Sequence, residues 1–140
     1  MPAERNPIEI ATRALQHRDR SRREVDDRLT RAGIDADERL EALDALERVG
    51  YIDDERFAAA RAGALASRGY GDEWIRVDLA GHRVGAETAA AAIAALAPEA
   101  ERAVVLVERL GRTPKTGAQL ARKGFAGESL DAALGIDIAG

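Results

Sequence analysis

Apolar residues in this chain recur three and four positions apart and never settle into alternation, which is the spacing of one buried helical face. Val25, Leu29 and Ile34 make one such stripe, and Leu40, Leu43, Leu46 and Val49 make the next. Only a few residues separate the stripes, as expected of short helices joined by tight turns. Gly33-Ile34, Gly50-Tyr51, Gly69-Tyr70 and Gly124-Phe125 each place a glycine after a charged run and a large apolar residue after the glycine. A left-handed glycine closes a helix there, and the next side chain folds back on its last turn. Start signals match these stops: Ser21 with Glu24, Asp35 or Asp37, Asp53 or Asp54, Asp72, and Thr113 before Pro114. Together they predict an all-α chain with helices over 7–18, 21–32, 37–49, 54–68, 72–83, 86–97, 99–110, 114–123 and 127–134.

These helices fall into three groups of three, and the groups repeat. At an offset of 50, Leu15 falls on Leu65, Arg18 on Arg68, Val25 on Ile75, Leu29 on Leu79, Ile34 on Val84, Leu43 on Ile93 and Leu46 on Leu96. At an offset of 41, Leu65 falls on Leu106, Arg68 on Arg109, Leu79 on Leu120, Val84 on Phe125 and Ile93 on Leu134. Two departures stand out: Arg83 replaces the turn glycine at the position of Gly33, and Thr116 stands where Val25 and Ile75 stand. The expected organisation is three tandem three-helix repeats in an elongated, curved array. Repeat one covers 1–52 with a short N-terminal extension, repeat two covers 53–98, and a shortened repeat three covers 99–140 and ends in GIDIAG.

Composition narrows the chemistry. With 46% hydrophobic and 33% charged residues the chain can bury a core and carries too much charge for a bilayer. It has no cysteine, which removes disulfides, thiolate zinc sites and cysteine nucleophiles and suits a reducing cytoplasm. His17 and His82 are too few for a metal site to be expected, and no cofactor is implied. The N-terminal MPAERNPIEIATRAL has neither a signal-peptide core nor a membrane span, so an intracellular, cytoplasmic protein is expected. Net charge is -4, but it is unevenly spread: residues 1–31 hold eight arginines against six acids, 35–56 hold nine acids against three arginines, and 109–127 hold five basic residues and no acid.

Catalytic readings are weak. Asp53, Asp54 and Glu55 sit where a helix begins, where carboxylates cap free N–H groups. Asp26 and Asp27 lie three to five residues from Arg22, Arg23 and Arg31, close to the spacing of helix-surface ion pairs. In GRTPKTG, Pro114 occupies the place where a phosphate loop needs glycine, so nucleotide binding is rejected. His17 and His82 fall at helix ends and are expected to meet free carbonyls there. Tyr51, Phe57, Tyr70 and Phe125 are expected in the core, whereas Trp74 lies beside the stripe of Ile75 and Leu79 and is a candidate for a functional surface. The chain is not expected to be an enzyme.

Three passages, RDRSRREVDDRLTRAGI, LERVGYIDDERFAAARAGALASRGYG and ARKGFAGESLDAAL, resemble the RecX regulators of the RecA recombinase, over about Ala11 to Leu134. The resemblance implies an all-helical protein of three tandem repeats that binds along the groove of a RecA nucleoprotein filament. It further implies inhibition of recombinase, ATPase and coprotease activities, in the setting of DNA recombination, repair and the SOS response. The partner-binding residues expected on this basis lie mainly on the middle helices: Arg20, Arg22, Arg23, Arg28 and Arg31 in the first repeat, and Lys115, Arg122 and Lys123 in the third. The second repeat supplies Arg68, Tyr70, Trp74 and Arg76. Stacked repeats would tend to align such positions along one side, with Arg83 as a further basic position. The expected partner is the RecA filament, with weak contact to single- or double-stranded DNA, no membrane, and a monomeric state. The alternative is a helix-turn-helix DNA-binding module, which would need one recognition helix and affinity that falls steeply with salt.

Overall fold

A computed structural model describes residues 6–135. The N-terminal extension ahead of Asn6 and all but the first residue of the closing GIDIAG lie outside these residues. The described chain is all-α: α1 (Pro7–His17), α2 (Arg22–Arg31), α3 (Ala36–Arg48), α4 (Asp54–Ser67), α5 (Asp72–Gly81), α6 (Ala86–Ala94), α7 (Glu99–Leu110), α8 (Pro114–Arg122) and α9 (Gly127–Leu134).

Local chemistry sets these limits. Ser21 and Glu24 form a full capping box, with Ser21 Oγ accepting from the Glu24 N–H and Glu24 accepting from the Ser21 N–H. At α1, α3, α4 and α8 the side chains of Asn6, Asp35, Asp53 and Thr113 accept first-turn N–H groups, without the reciprocal bond. Gly33, Gly50, Gly69 and Gly124 all have positive φ, and the residue after each donates back to the carbonyl five residues earlier, as Ile34 does to Leu29 at 3.1 Å. Arg83 takes the same left-handed conformation without being glycine, at φ 65°. The expected α6 is shortened at its end, to Ala94, because Pro98 disfavours helical backbone at Ala97.

Three hydrophobic clusters form, one within each triplet of helices. The first holds Val25, Leu29, Ile34, Leu43, Leu46 and Ile52; the second Phe57, Leu65, Ile75, Leu79 and Val84; the third Val107, Leu120, Phe125 and Leu130. A fully buried aliphatic or aromatic side chain contributes about 1.5–3 kcal/mol, so small clusters of this kind hold a triplet only with help from its neighbours. Thr116 is buried at the position of Val25 and Ile75, its hydroxyl within 3.2 Å of the Thr113 hydroxyl. Three expectations fail: Leu40 (55% exposed), Val49 (67%) and Tyr51 (61%) lie outside the core. Ala42, on the same turn of α3, is buried in their stead, because the inward face of α3 runs through Ala42, Leu43 and Leu46.

Among the described residues, hydrogen bonds between triplets join the first to the second and the second to the third, by one recurring joint. The Ser21 hydroxyl at the start of α2 donates to the His82 carbonyl at the end of α5 (2.5 Å). The Gly71 N–H at the start of α5 donates to the Lys123 carbonyl at the end of α8 (2.8 Å). Beside each contact, a carboxylate from the first residue of the following triplet's first helix accepts the N–H of the middle helix's first residue: Asp54 from Arg22 (2.7 Å) and Glu99 from Asp72 (2.8 Å). The middle helices α2, α5 and α8 therefore run in a head-to-tail row.

Close approach at the second joint dictates glycine. A Cβ on Gly71 would lie 2.5 Å from the backbone of Gly124 and Phe125, and one on Gly124 would lie 2.6 Å from the Trp74 nitrogen. Gly33, at the open end of α2, has nothing within 4 Å. Gly71→Ala should accordingly destabilise the protein by about 1–3 kcal/mol through backbone overpacking. Gly33→Ala should cost only about 1–2 kcal/mol of left-handed strain and leave the joints unchanged. Denaturant unfolding with amide exchange at Lys123–Phe125 distinguishes them: loss of protection there belongs to Gly71→Ala alone.

Candidate interaction surface

Because the joints set α2, α5 and α8 in a row, residues at equivalent turns of these helices recur along the molecule. The basic residues do not all remain available on that row. Arg20 lies against the C-terminus of α1, its Nε donating to the Ala14 carbonyl at 3.1 Å. Burial, together with Arg18 and Arg28 nearby, lowers its pKa. Arg22 forks onto Asp44 (2.7 Å) and Glu47 (3.2 Å) of α3. Its burial is outweighed by these two partners, which raise its pKa. Arg76 pairs with Glu73 one turn back, and Arg83 reaches across the first joint to Asp27 (2.9 Å). Lys123 donates to the Arg68 carbonyl (3.0 Å) and lies 4.8 Å from the centre of the Tyr70 ring.

Five expected residues, Arg23, Arg28, Arg31, Lys115 and Arg122, are exposed and have no ionic or hydrogen-bonded partner among the described residues. Arg31 and Arg122 are equivalent by the repeat offsets, and the middle helix has Gly81 at that position. Arg28 and Arg31 lie toward the open end of α2 and Lys115 at the start of α8, the two ends of the row, whereas Arg23 lies at the first joint and Arg122 beside the second. Between them lies an aromatic pair: Trp74, 45% exposed, stacks on Tyr70 at 4.9 Å between ring centres, with the Arg68 guanidinium 5.9 Å over Tyr70.

The acids expected to balance arginines along α2 work across tertiary contacts. Asp26 pairs with Arg39 of α3 (2.8 Å), and Asp27 with Arg83 of the next triplet. The His82 ring, expected at carbonyls, instead has Nδ1 3.1 Å from Glu24 and Nε2 3.9 Å from Asp78, with Phe57 edge-on at 5.4 Å. It is the His82 carbonyl that takes part in the joint. Burial tends to raise the pKa of Glu24, but hydrogen bonds from Arg18, the Ser21 N–H and His82 prevail and lower it. Asp78 is lowered chiefly by its paired hydrogen bonds from Arg61, at 2.7 and 2.8 Å.

Three joint residues carry no expectation from spacing: Asp54 and Glu99 as caps on another triplet's helix, and Arg102. Arg102 donates to Asp72 (2.8 Å), to the Tyr70 carbonyl (3.0 Å) and to the Ala97 carbonyl (3.2 Å), while its guanidinium lies 5.8 Å over the Phe125 ring. With 12% of its side chain exposed, it is the main polar tie between the second and third triplets. The available signal was positional: Asp54 and Glu99 both open the first helix of a repeat.

Fold and surface together define an all-α tandem-repeat protein whose exposed features are unpaired cations, an aromatic pair and apolar grooves. No protein-family model matches the chain. It is 36% identical to a regulatory protein RecX of Xanthomonas axonopodis pv. citri over 96% of this chain and 90% of that one. It is also 36% identical to the regulatory protein RecX of Acidithiobacillus ferrooxidans, covering 96% of this chain and 93% of that one. The chain belongs to the RecX family of regulatory proteins. Its fold matches the crystal structure of RecX from Lactobacillus salivarius with a TM-score of 0.80 at 21% identity, over 92% of both chains.

Since Glu24 and Asp78 have lowered pKa values in the folded protein, their contribution is complete above the ordinary carboxylate range and is lost as pH falls through the lowered values. Thermal unfolding from about pH 5 down to pH 3 should therefore show a loss of Tm that is smaller in Glu24→Gln. Identical pH profiles for the two proteins would contradict the role given to Glu24.

Proposed function

We propose that this protein is a non-enzymatic cytoplasmic regulator that binds the RecA nucleoprotein filament as a monomer and inhibits its recombinase, ATPase and coprotease activities, in DNA recombination, repair and the SOS response. The observation that carries this reading is the head-to-tail row of equivalent helices, supported by the curated relatives named regulatory protein RecX. A filament presents the same subunit surface at regular intervals, and a linear array can contact more than one subunit, so that weak contacts add through effective concentration. Exposed cations along the row, Arg28 and Arg31 toward the open end of α2, Arg122 beside the second joint and Lys115 at the start of α8, would anchor those contacts to acidic protein surface or to exposed DNA phosphates. The Tyr70–Trp74 pair lies among them and supplies apolar contact area.

A helix-turn-helix reading has less support. The N-termini of α2 and α5 are taken up by the joints, whereas a recognition helix presents its N-terminal residues to the bases.

Purified protein added to RecA filaments on single-stranded DNA should suppress ATP hydrolysis and strand exchange, with at most weak, salt-sensitive anisotropy on naked DNA. Replacing Arg28, Arg31, Lys115 and Arg122 together by alanine should leave helicity nearly unchanged, because alanine favours the helix and none of the four has a side-chain partner to lose. The same variant should weaken inhibition by about tenfold or more, equivalent to about 1.4 kcal/mol. No effect of the wild-type protein on filaments, with tight sequence-specific duplex binding, would overturn the proposal.

A further inference from the structure

We propose that the cleft beside the second joint binds one nucleotide of single-stranded nucleic acid, its phosphate held by Arg68, Arg109 and Lys123 and its base stacked on Trp74. The cleft, of about 190 Å3, lies where the end of α4 meets α7 and the last turn of α8. The three cations line it together with Gln119, and Leu106 and Leu110 form its apolar part. Neither the Arg68 nor the Arg109 guanidinium has a carboxylate partner among the described residues, and Lys123 donates to a neutral group, the Arg68 carbonyl (3.0 Å). No acidic residue lines the cleft. The acids close to it in sequence are engaged or lie elsewhere: Glu73 pairs with Arg76, Asp72 with Arg102, and Glu108 is not part of the lining.

The equivalent cleft at the first joint shows what the geometry alone does not require. Arg18, Asp19, Arg61 and His82 line it, and its charges are balanced within the chain. Arg18 and His82 both meet Glu24 at 3.1 Å, and Arg61 forks onto Asp78. By the repeat offsets, Arg18 becomes Arg68 and His82 becomes Lys123, so cationic side chains recur at the second joint. The acids do not recur: Asp19 becomes Gly69, Glu24 becomes Trp74 and Asp78 becomes Gln119. The second cleft is therefore left with positive charge for an incoming anion. The residue in place of Glu24 indicates which anion. Trp74 is 45% exposed and stacks on Tyr70, whose ring centre lies 4.8 Å from Lys123 Nζ. A phosphate at Lys123 would thus lie beside an exposed indole, the pairing of cation and aromatic face by which single strands are held. An acidic peptide would satisfy the cations but offers no base to the indole, and a duplex has its bases already stacked on one another. The site deepens the proposed function, and rests on it only for the source of the strand, the DNA of the filament.

Trp74 is the only tryptophan, so its fluorescence reports on the site directly. At low salt, an oligothymidylate of about 12 nucleotides should quench it and bind about tenfold more tightly than an abasic strand of the same length. With fluorescein-labelled strands and anisotropy as the readout, Trp74→Ala should abolish that preference and keep the abasic binding. Arg68→Ala combined with Arg109→Ala should weaken binding of both strands by about tenfold or more, as phosphate contacts do. Gln119→Glu, which restores an acid at the position of Asp78, should weaken both as well, whereas Arg48→Ala, which removes a charge far from the cleft, should leave both unchanged. Equal binding of the two strands, binding of neither up to about 1 mM, or full affinity in the Arg68 and Arg109 variant overturns the site. A polyglutamate peptide that competes as well as the oligothymidylate also overturns it, and makes the cleft a dock for acidic protein. Strand binding at this cleft with no effect on RecA filaments would sink the filament reading and leave the site intact, and filament inhibition without strand binding would do the reverse.

Discussion

At each boundary between triplets, the N-terminus of one middle helix meets the C-terminal turn of the next, so partial charges of opposite sign face one another. The same joint supplies partners for N–H groups that a helix leaves unsatisfied: Ser21 Oγ, Asp54 and Glu99 each act on backbone that would otherwise need water. Every larger feature follows from this contact. It sets the middle helices in one row and places Arg23 near Arg83 at the first joint and Arg122 beside the second. At the start of α8 the first residue is Pro114, which has no N–H, and the Thr113 N–H is bound to the Gly111 carbonyl at 3.1 Å.

The two joints use different chemistry for one geometry. In the first, Arg83 pairs with Asp27 across the boundary, beside the bond from Ser21 to the His82 carbonyl. The second is steric and depends on Gly71 and Gly124, with Arg102 tying Tyr70, Ala97 and Asp72 to α7. Arg83 marks the difference. At the position where Gly124 must be glycine to admit Trp74, the first joint leaves room for a side chain and accepts left-handed strain in a residue that gains an ion pair across the boundary. Of the carboxylates with lowered pKa, Glu24 lies at the first joint.

Charge economy explains why an arginine-rich helix yields few free arginines. Arg22 and Arg39 are absorbed between α2 and α3, Arg61 between α4 and α5, and Arg102 between the second and third triplets. Guanidinium groups suit this role because they donate in several directions at once, as Arg22 does to two acids.

Helix positions, stop glycines, the repeat and the stripe through Val25, Leu29, Ile75, Leu79 and Leu120 were legible in the sequence, because caps and apolar spacing are local and act over three to five residues. Leu40 and Val49 were misjudged because periodicity shows that a face exists but not how much of it another helix covers, and Tyr51, expected in the core from its place after Gly50, is exposed while its neighbour Ile52 is buried. The pairing of Asp26 with Arg39 and of Asp27 with Arg83 lay beyond such reading, since one ion at a helix surface has several partners in reach and packing selects among them. The row of middle helices and the identity of the unpaired arginines were decided only by tertiary structure. They arise from contacts between residues some 30 to 60 positions apart, where local spacing carries no information.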